Sequence, residues 1–497
     1  MNSLTKIILI PLDNRPVSYT LPVQIGQLNN NVEVLVPPRE LIGGLTHNTN
    51  VDNVLLWLNE TIQNNKIDFI VCSLDTIAYG GLIPSRRNPD TEAMIMARLS
   101  DFKILIENHK KEHNTRLYAF SSIMRISNNN INEEEKEYWD KYGELIFKFS
   151  YLTHKIQLED KKTDKDELRE ITNQIPEEVL RDYLLARKRN FDVNKYYLSW
   201  IEDDFIDFMV YSQDDTAQYG LNVMEGKALQ GLISEKDLSS KITVQTGADE
   251  IPDNLLIRGL VEKSNQKLSI FPVFSTEKGP NIISRYEDRT ILESAFGQTN
   301  LCGAQITDSK EKADIILLVH TPANAQNDYA MSIYEDPENE KAIELCINII
   351  KTTDKPVILA DIAFANGADN LLAKKLLADG VNLDILYGYA GWNTTGNTLG
   401  SSLSMGISRY LAEKSGNLNF ENFKKLLLIR ISDDWAYQTV TRQKIRALTH
   451  EADTLILNEE LKPLIINLAK KVNLTLSKIE LSFPWNRTFE VEINIET

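Results

Sequence analysis

The segment FIDFMVYSQDDTAQYG, residues 205–220, runs from apolar sequence into two adjacent aspartates, Asp214 and Asp215, and then into a polar turn closed by glycine. A short apolar run bounded by a turn marks a strand buried on both faces, the kind found in parallel sheets. Both carboxylates therefore stand at the carboxyl end of a strand, where α/β folds bind their ligands. Adjacent like charges push their pKa values apart, so one carboxyl can stay protonated beside an ionised neighbour. The competing local reading is a helix N-cap at Asp215, since aspartate caps helices well and helix N-termini attract carboxylates.

The same pattern recurs on either side. Apolar runs at 6–12, 32–36, 68–73 and 116–122 precede the segment, and those at 207–212, 241–246, 268–274, 313–320, 356–362 and 383–387 complete ten candidate strands. Between the early runs, residues 51–64 and 91–111 place apolar side chains at helical spacing, which makes βα units the natural class. Parallel strands need such crossovers. Residues 128–204 interrupt the alternation with long, charged, helical sequence, read as an insertion. Residues 397–415 read as helix and 474–493 as β structure. The expected fold is α/β, a parallel βα-repeat of TIM-barrel type with a helical insertion and a C-terminal α+β extension. The alternative is two open Rossmann-like α/β sheets divided near Leu260. In residue terms, 1–260 is the βα-repeat region with the insertion at 128–204. Residues 261–410 complete the cleft or form a second sheet, and 411–497 form the extension.

Composition narrows the partners. The chain has 497 residues, 42% hydrophobic and 25% charged, which is ordinary for a globular protein. No stretch approaches the roughly 20 apolar residues of a membrane span. The opening residues carry one lysine and a short apolar run that meets Asp13 and Arg15, unlike a signal peptide. Three widely separated cysteines, Cys72, Cys302 and Cys346, argue against a disulfide framework or a structural zinc site, and a cytoplasmic location is expected. A net charge of −17 opposes binding to nucleic acid or an anionic membrane and leaves a small molecule or glycan as the expected partner.

The strand ends collect polar chemistry. PLDNRP puts Asp13, Asn14 and Arg15 between two prolines that stiffen the turn, with Arg15 suited to a carboxylate, a phosphate or an orienting contact to an acid. SLDTIAYGG supplies Asp75 and Tyr79, and Arg125 follows the next run. TGADE offers a second acidic pair, Asp249 and Glu250, while VHTPANAQND offers His320. ADIAFANGADN contributes Asn366 and Asp369, and YAGWNTTGNTLG brings Trp392, Asn393 and Asn397, an aromatic face and two amides of the kind that read sugars. Asp13, Asp75, Asp215, Glu250 and Trp392 are expected to face one cavity. Taken singly, each Asp or Asn is equally explained as a turn or cap residue. No GxGxxG or GxxxxGK[ST] pattern stands in the right context, so no nucleotide cofactor is expected.

PLDNRP, SLDTIAYGG, SQDD, TGADE, NGAD and YAGWNTTGNTLG together resemble a bacterial family of proteins of this length, a domain of unknown function, over nearly the whole chain. VYSQDD also resembles the strand-terminal acidic pair of the O-GlcNAcase family, and YAGWNTTGN is loosely similar to its later Trp-Asn segment. That likeness implies that Asp214 polarises a substrate acetamido group, that Asp215 is the general acid and base, and that Asn393 contacts sugar hydroxyls. Glycosidic hydrolysis needs two carboxyl groups of distinct pKa, or one together with a substrate acetamide. The expectation is a cofactor-independent glycoside hydrolase acting on a small sugar conjugate, N-acetylated or not, with catalytic Asp214 and Asp215 and no metal. The alternatives are a metal-dependent hydrolase using Asp13, Asp75, Asp214, Asp249 and His320, and a noncatalytic carbohydrate-binding protein.

Overall fold

The computed structural model describes residues 4–331, 339–449 and 451–497. All ten expected strands form. In chain order the strands are β1 (Thr5–Ile10), β2 (Val32–Leu35), β3 (Phe69–Ser73), β4 (Arg116–Ile123), β5 (Phe208–Gln213), β6 (Ile242–Thr246), β7 (Ser269–Phe274), β8 (Gln305–Ile306), β9 (Ile315–His320), β10 (Asn327–Asp328), β11 (Val357–Asp361), β12 (Phe364–Ala365), β13 (Leu386–Ala390), β14 (Lys478–Ser482) and β15 (Glu492–Glu496). They build a six-stranded parallel sheet in the order β2-β1-β3-β4-β5-β6 and a five-stranded parallel sheet in the order β13-β11-β9-β7-β8. A short pair, β10 with β12, and an antiparallel hairpin, β14 with β15, complete the β structure.

The expected barrel does not form, and the alternative of two open sheets is the fold: among the described residues neither parallel sheet closes on itself. The reason lies in the crossover after β6. Helix Ile251–Ser264 packs against β3 and β4 on one side and against helix Thr395–Lys414 on the other, so β7 starts a new sheet instead of pairing with β6. The crossover is buried along almost its whole length, with Ile251, Leu255, Leu256, Ile257, Leu260 and Val261 all in the core between the sheets. Its approach to β3 is so close that a Cβ on Gly259 would lie 2.5 Å from the Phe69 ring.

Between β4 and β5 the charged region forms three helices, Trp139–Glu159, Lys162–Gln174 and Glu177–Glu202. They gather an apolar cluster around Trp139, Ile146, Ile171 and Tyr183. The end of the third helix packs Tyr197, Trp200 and Ile201 into the core of the first sheet. C-terminal to helix Phe420–Ile431 the backbone widens into a π-helix over Ser432–Thr441, followed by helices Arg442–Leu448 and Thr454–Lys471. The hairpin follows, and the stretch between β14 and β15 carries Trp485, Arg487 and Phe489 to the strand-end face of the sheets. All three cysteines are buried and unpaired. No described helix is long and apolar enough to cross a membrane.

Candidate functional site

A cavity of about 1270 Å³ opens where strand ends of the first sheet meet loops of the second and the C-terminal stretch. From the first sheet, β1 delivers Arg15, β4 delivers Arg125, β5 delivers Asp214 and Asp215, and β6 delivers Asp249. Tyr286, Asp328, Asn366 and Asn393 line it from the second, and Glu134, Trp485, Arg487 and Phe489 complete the wall.

Asp215 is not a helix cap, because the following helix begins at Leu221 with Gly220 at its N-cap. The two aspartates have different surroundings. Asp214 Oδ2 accepts from Arg86 Nη2 at 2.6 Å, and Arg125 Nη1 lies 3.6 Å away. Asp215 Oδ2 accepts from Arg125 Nη1 at 3.1 Å and keeps 35% of its side-chain surface open to the cavity. Burial, then the negative charge of Asp214, raise the Asp215 carboxyl to about 7 in spite of Arg125. Arg86 and Arg125 are drawn in turn to Glu134 and Glu135, which pack beside them from the start of the helical insertion.

Arg15 grips Asp249 with both terminal nitrogens, at 2.5 Å and 3.3 Å, and Asp13 Oδ2 at 2.7 Å. Asn393 Nδ2 donates to Asp249 Oδ2 at 3.1 Å. Burial raises the Asp249 carboxyl to about 6 although Arg15 opposes it. Asn366 donates its backbone N–H to Asn393 O at 2.9 Å and its side-chain amide to Asp328 Oδ1 at 3.0 Å. Tyr286 Oη donates to Asp328 Oδ2 at 2.6 Å.

Of the sequence-derived candidates, the cavity gathers Arg15, Arg125, Asp214, Asp215, Asn366, Asn393 and Asp249. The others lie behind it, so of the five residues expected to share one cavity only Asp215 does. Asp13 is buried as the brace of Arg15, and Asn14 accepts from Trp485 Nε1 at 2.7 Å. Asp75 is sealed under β4, accepting from Ser122 N at 2.7 Å and Ser121 Oγ at 3.1 Å, with burial raising it to about 6. Tyr79 is buried, with the Arg189 guanidinium over its ring. Glu250 is buried and accepts from Gln298 Nε2 at 2.6 Å. His320 is fully buried in the second sheet, with Nε2 3.0 Å from Asp369 Oδ2 and Nδ1 3.2 Å from Ser275 Oγ. Burial disfavours its charged form, but the hydrogen bond to Asp369 overrides this and holds its pKa well above the usual value. Asp369 is also the N-cap of helix Asn370–Leu376, the bland role that turn aspartates usually have. Trp392 packs on Phe489 with ring centroids 5.8 Å apart, and Asn397 is buried in the first turn of helix Thr395–Lys414. Of the five residues of the metal alternative, Asp214 and Asp249 line the cavity while Asp13, Asp75 and His320 lie behind it, and no three His, Cys, Asp or Glu side chains among the described residues converge as a metal site.

The sequence reading missed Arg86 beneath the acid pair, and Glu134, Tyr286, Trp485 and Arg487 as residues of the cavity. Glu134 stands in the charged run NEEEKE, which reads as a solvated stretch, and Trp485 and Arg487 in FPWNR lie far from any parallel strand. One backbone feature marks the site independently. Asp215, Tyr286, Asn366, Asn393 and Asn486, five of the ten described non-glycine residues with positive φ, all line this cavity. For a bulky residue such as Tyr286, at φ 65°, that conformation is an outlier, and backbone strain of this kind clusters at functional sites.

Two open parallel sheets whose ends converge on a polar, acid-rich cavity define an α/β protein. The chain belongs to the family described as "Protein of unknown function (DUF4127)", whose model matches residues 7–494. No curated protein and no solved structure matches it.

Proposed function

We propose that the cavity is the active site of a glycoside hydrolase in which Asp215 is the general acid and base. The observation that carries this reading is the division of labour within the acidic pair. Asp214 is pinned by Arg86, whereas Asp215 is open to the cavity with a carboxyl raised to about 7, suited to giving and taking a proton near neutral pH. Asp215 would protonate the glycosidic oxygen as the bond to the leaving group breaks. With an N-acetylated substrate, the acetamido oxygen would attack the anomeric carbon while Asp214 takes up its N–H. Asp215 would then remove a proton from the water that opens the ring formed. Glu250 is too deeply buried to be the second carboxylate, which leaves Asp249 as the facing one should the substrate lack an acetamide.

Asn366, Asn393 and Asp249 would take sugar hydroxyls, with Tyr286 and Phe489 as apolar faces. Trp485 is less free for stacking, since the guanidiniums of Arg15 and Arg487 lie 4.8 Å and 4.7 Å from its ring. The cavity exceeds the roughly 300–1,000 Å³ of an ordinary small-ligand pocket, which favours a conjugate over a free monosaccharide. A panel of chromogenic glycosides, N-acetylated and not, tests the proposal against wild type and Asp215→Asn. Turnover by the wild type and its loss in the variant are expected; no hydrolysis of any glycoside would remove the reading.

A further inference from the structure

The arginines of the cavity fall into two groups. Arg15 is paired with Asp13, Asp249 and Glu490, Arg125 with Glu134, Glu135, Asp214 and Asp215, and Arg487 with Glu133, Glu134 and Glu490. Arg285 and Arg446 also line the cavity, yet neither forms an ion pair with any described carboxylate. Their hydrogen bonds go to neutral oxygens. Arg285 Nε donates to Gln326 O at 2.9 Å, and Arg446 donates from Nε to Thr488 Oγ1 and from Nη1 to Ala330 O, each at 3.0 Å. Among the described residues no hydrogen bond engages either terminal nitrogen of Arg285, an exposed side chain at the cavity rim, or Nη2 of the half-buried Arg446.

A third guanidinium backs them. Arg442, one helical turn before Arg446, is fully buried and donates from Nη2 to Asn366 O at 2.6 Å, while its Nε and Nη1 have no partner among the described residues. An unpaired buried cation is costly, and a second cation one turn away adds repulsion. Burial and then the charge of Arg446 lower the Arg442 pKa to about 10, against the opposing influence of Tyr437, Asp328 and Asp433. Asp328 cannot turn to neutralise the arginines, because its oxygens already accept from Tyr286 Oη, Asn366 Nδ2 and the Ala330 N–H. In a chain of net charge −17, cavity arginines without a carboxylate partner stand out.

We infer that this wall receives an anionic group on the substrate, a carboxylate, phosphate or sulfate carried by the sugar, through the free guanidinium nitrogens of Arg285 and Arg446. Guanidinium forks suit such oxyanions. The wall is joined to the acid pair by backbone: Thr216 N–H, next to Asp215, donates to Tyr286 O at 2.9 Å, and Arg285 is the neighbour of Tyr286. The charge would thus be read close to the bond being broken. This inference rests on the glycosidase reading only in taking the charge to be borne by a sugar.

Calorimetric titration with glucuronate, glucose 6-phosphate, glucose 6-sulfate and uncharged glucose provides the test, using wild type, Arg285→Gln and Arg446→Gln at low and high salt. At least one charged probe is expected to bind more tightly than glucose and to weaken with salt. Each variant should lose about tenfold or more of that binding, as for a charge-assisted hydrogen bond. Which charged probe binds best separates a carboxylate from a phosphate or sulfate. Equal binding of glucose, no binding of any charged probe, or unchanged binding in both variants would overturn the inference. The two readings fail separately. Charged probes that bind as expected, with no glycoside hydrolysed, would remove the hydrolase alone; hydrolysis of neutral glycosides without preference for charged ones would remove the anion wall alone.

Discussion

Arg86 Nη2 donates to Asp214 Oδ2 at 2.6 Å from a side chain only 1% exposed, so one member of the acidic pair is fixed from beneath while its neighbour faces the cavity. A rigid negative neighbour is what holds a proton on Asp215, second only to burial.

The first consequence is a pH profile. A general acid works only while protonated, so kcat/KM should fall as pH rises through about 7. Asp214→Asn removes the negative neighbour, lowers the Asp215 pKa, and should move that limb to lower pH. Arg125→Gln removes an opposing positive charge and should move it higher. Rate profiles of the three proteins on one glycoside give the shifts; a limb that stays in place in both variants would exclude Asp215 as its source.

The same carboxyl should cost stability. Its folded pKa, about 7, lies above the ordinary aspartate value of 3.8, so the folded state holds the proton more tightly than the unfolded chain. The penalty is absent below about 3.8, grows between the two values and is complete above about 7, moderated by the carboxyl's exposure to the cavity. Asp215→Asn should therefore lose about 10²–10⁴ in turnover yet unfold at a higher temperature than wild type at pH 8, with the difference shrinking toward pH 4. Thermal melts across that range read it directly.

The strands were legible because a parallel strand covered on both faces is a plain apolar run, as in KIILI of β1 and IILLV of β9. Whether the sheet closes is decided by where one crossover packs. The signal was present in IPDNLLIRGLVEK: a barrel's outer helix shows a single apolar stripe, whereas this one is apolar on several sides because it lies between two sheets. Asp215 could be found from its place after β5. Glu134, Arg86 and Trp485 could not, since they reach the cavity from the insertion, a short helix and the C-terminal stretch, and no local spacing ties them together. His320 and Trp392 show the converse error, for a polar or aromatic residue after a strand can turn inward and serve the core.

Asn393 gives a test of the strained wall. Its φ of 67° costs an alanine about 1–2 kcal/mol but costs a glycine almost nothing. Both substitutions lose the amide bond to Asp249. Asn393→Gly should consequently be more stable than Asn393→Ala by about 1 kcal/mol, reversing the order expected in ordinary backbone. Equilibrium urea unfolding of the pair measures the difference, and an alanine variant as stable as the glycine one would show that the left-handed conformation is not retained.

Asp253 is an acid with no exposure to solvent. It sits in the first turn of helix Ile251–Ser264, between the sheets, and neither of its carboxylate oxygens has a hydrogen-bond partner among the described residues. Burial pushes its carboxyl well above the usual range, with only the longer-range charge of Arg430 pulling the other way. Arg430 is itself committed to Asp434 through Nη2. The native state must therefore keep the proton on Asp253 at a pH where the unfolded chain has released it, and the resulting penalty grows as pH rises above about 3.8. Asp253→Asn keeps the shape and removes the titration. It should raise stability by about 1 kcal/mol or more near pH 8 and by progressively less as pH falls toward and below about 3.8, where the unfolded chain also keeps the proton. Parallel stability curves for the two proteins across that range would mean that Asp253 finds a partner for its charge in the folded protein.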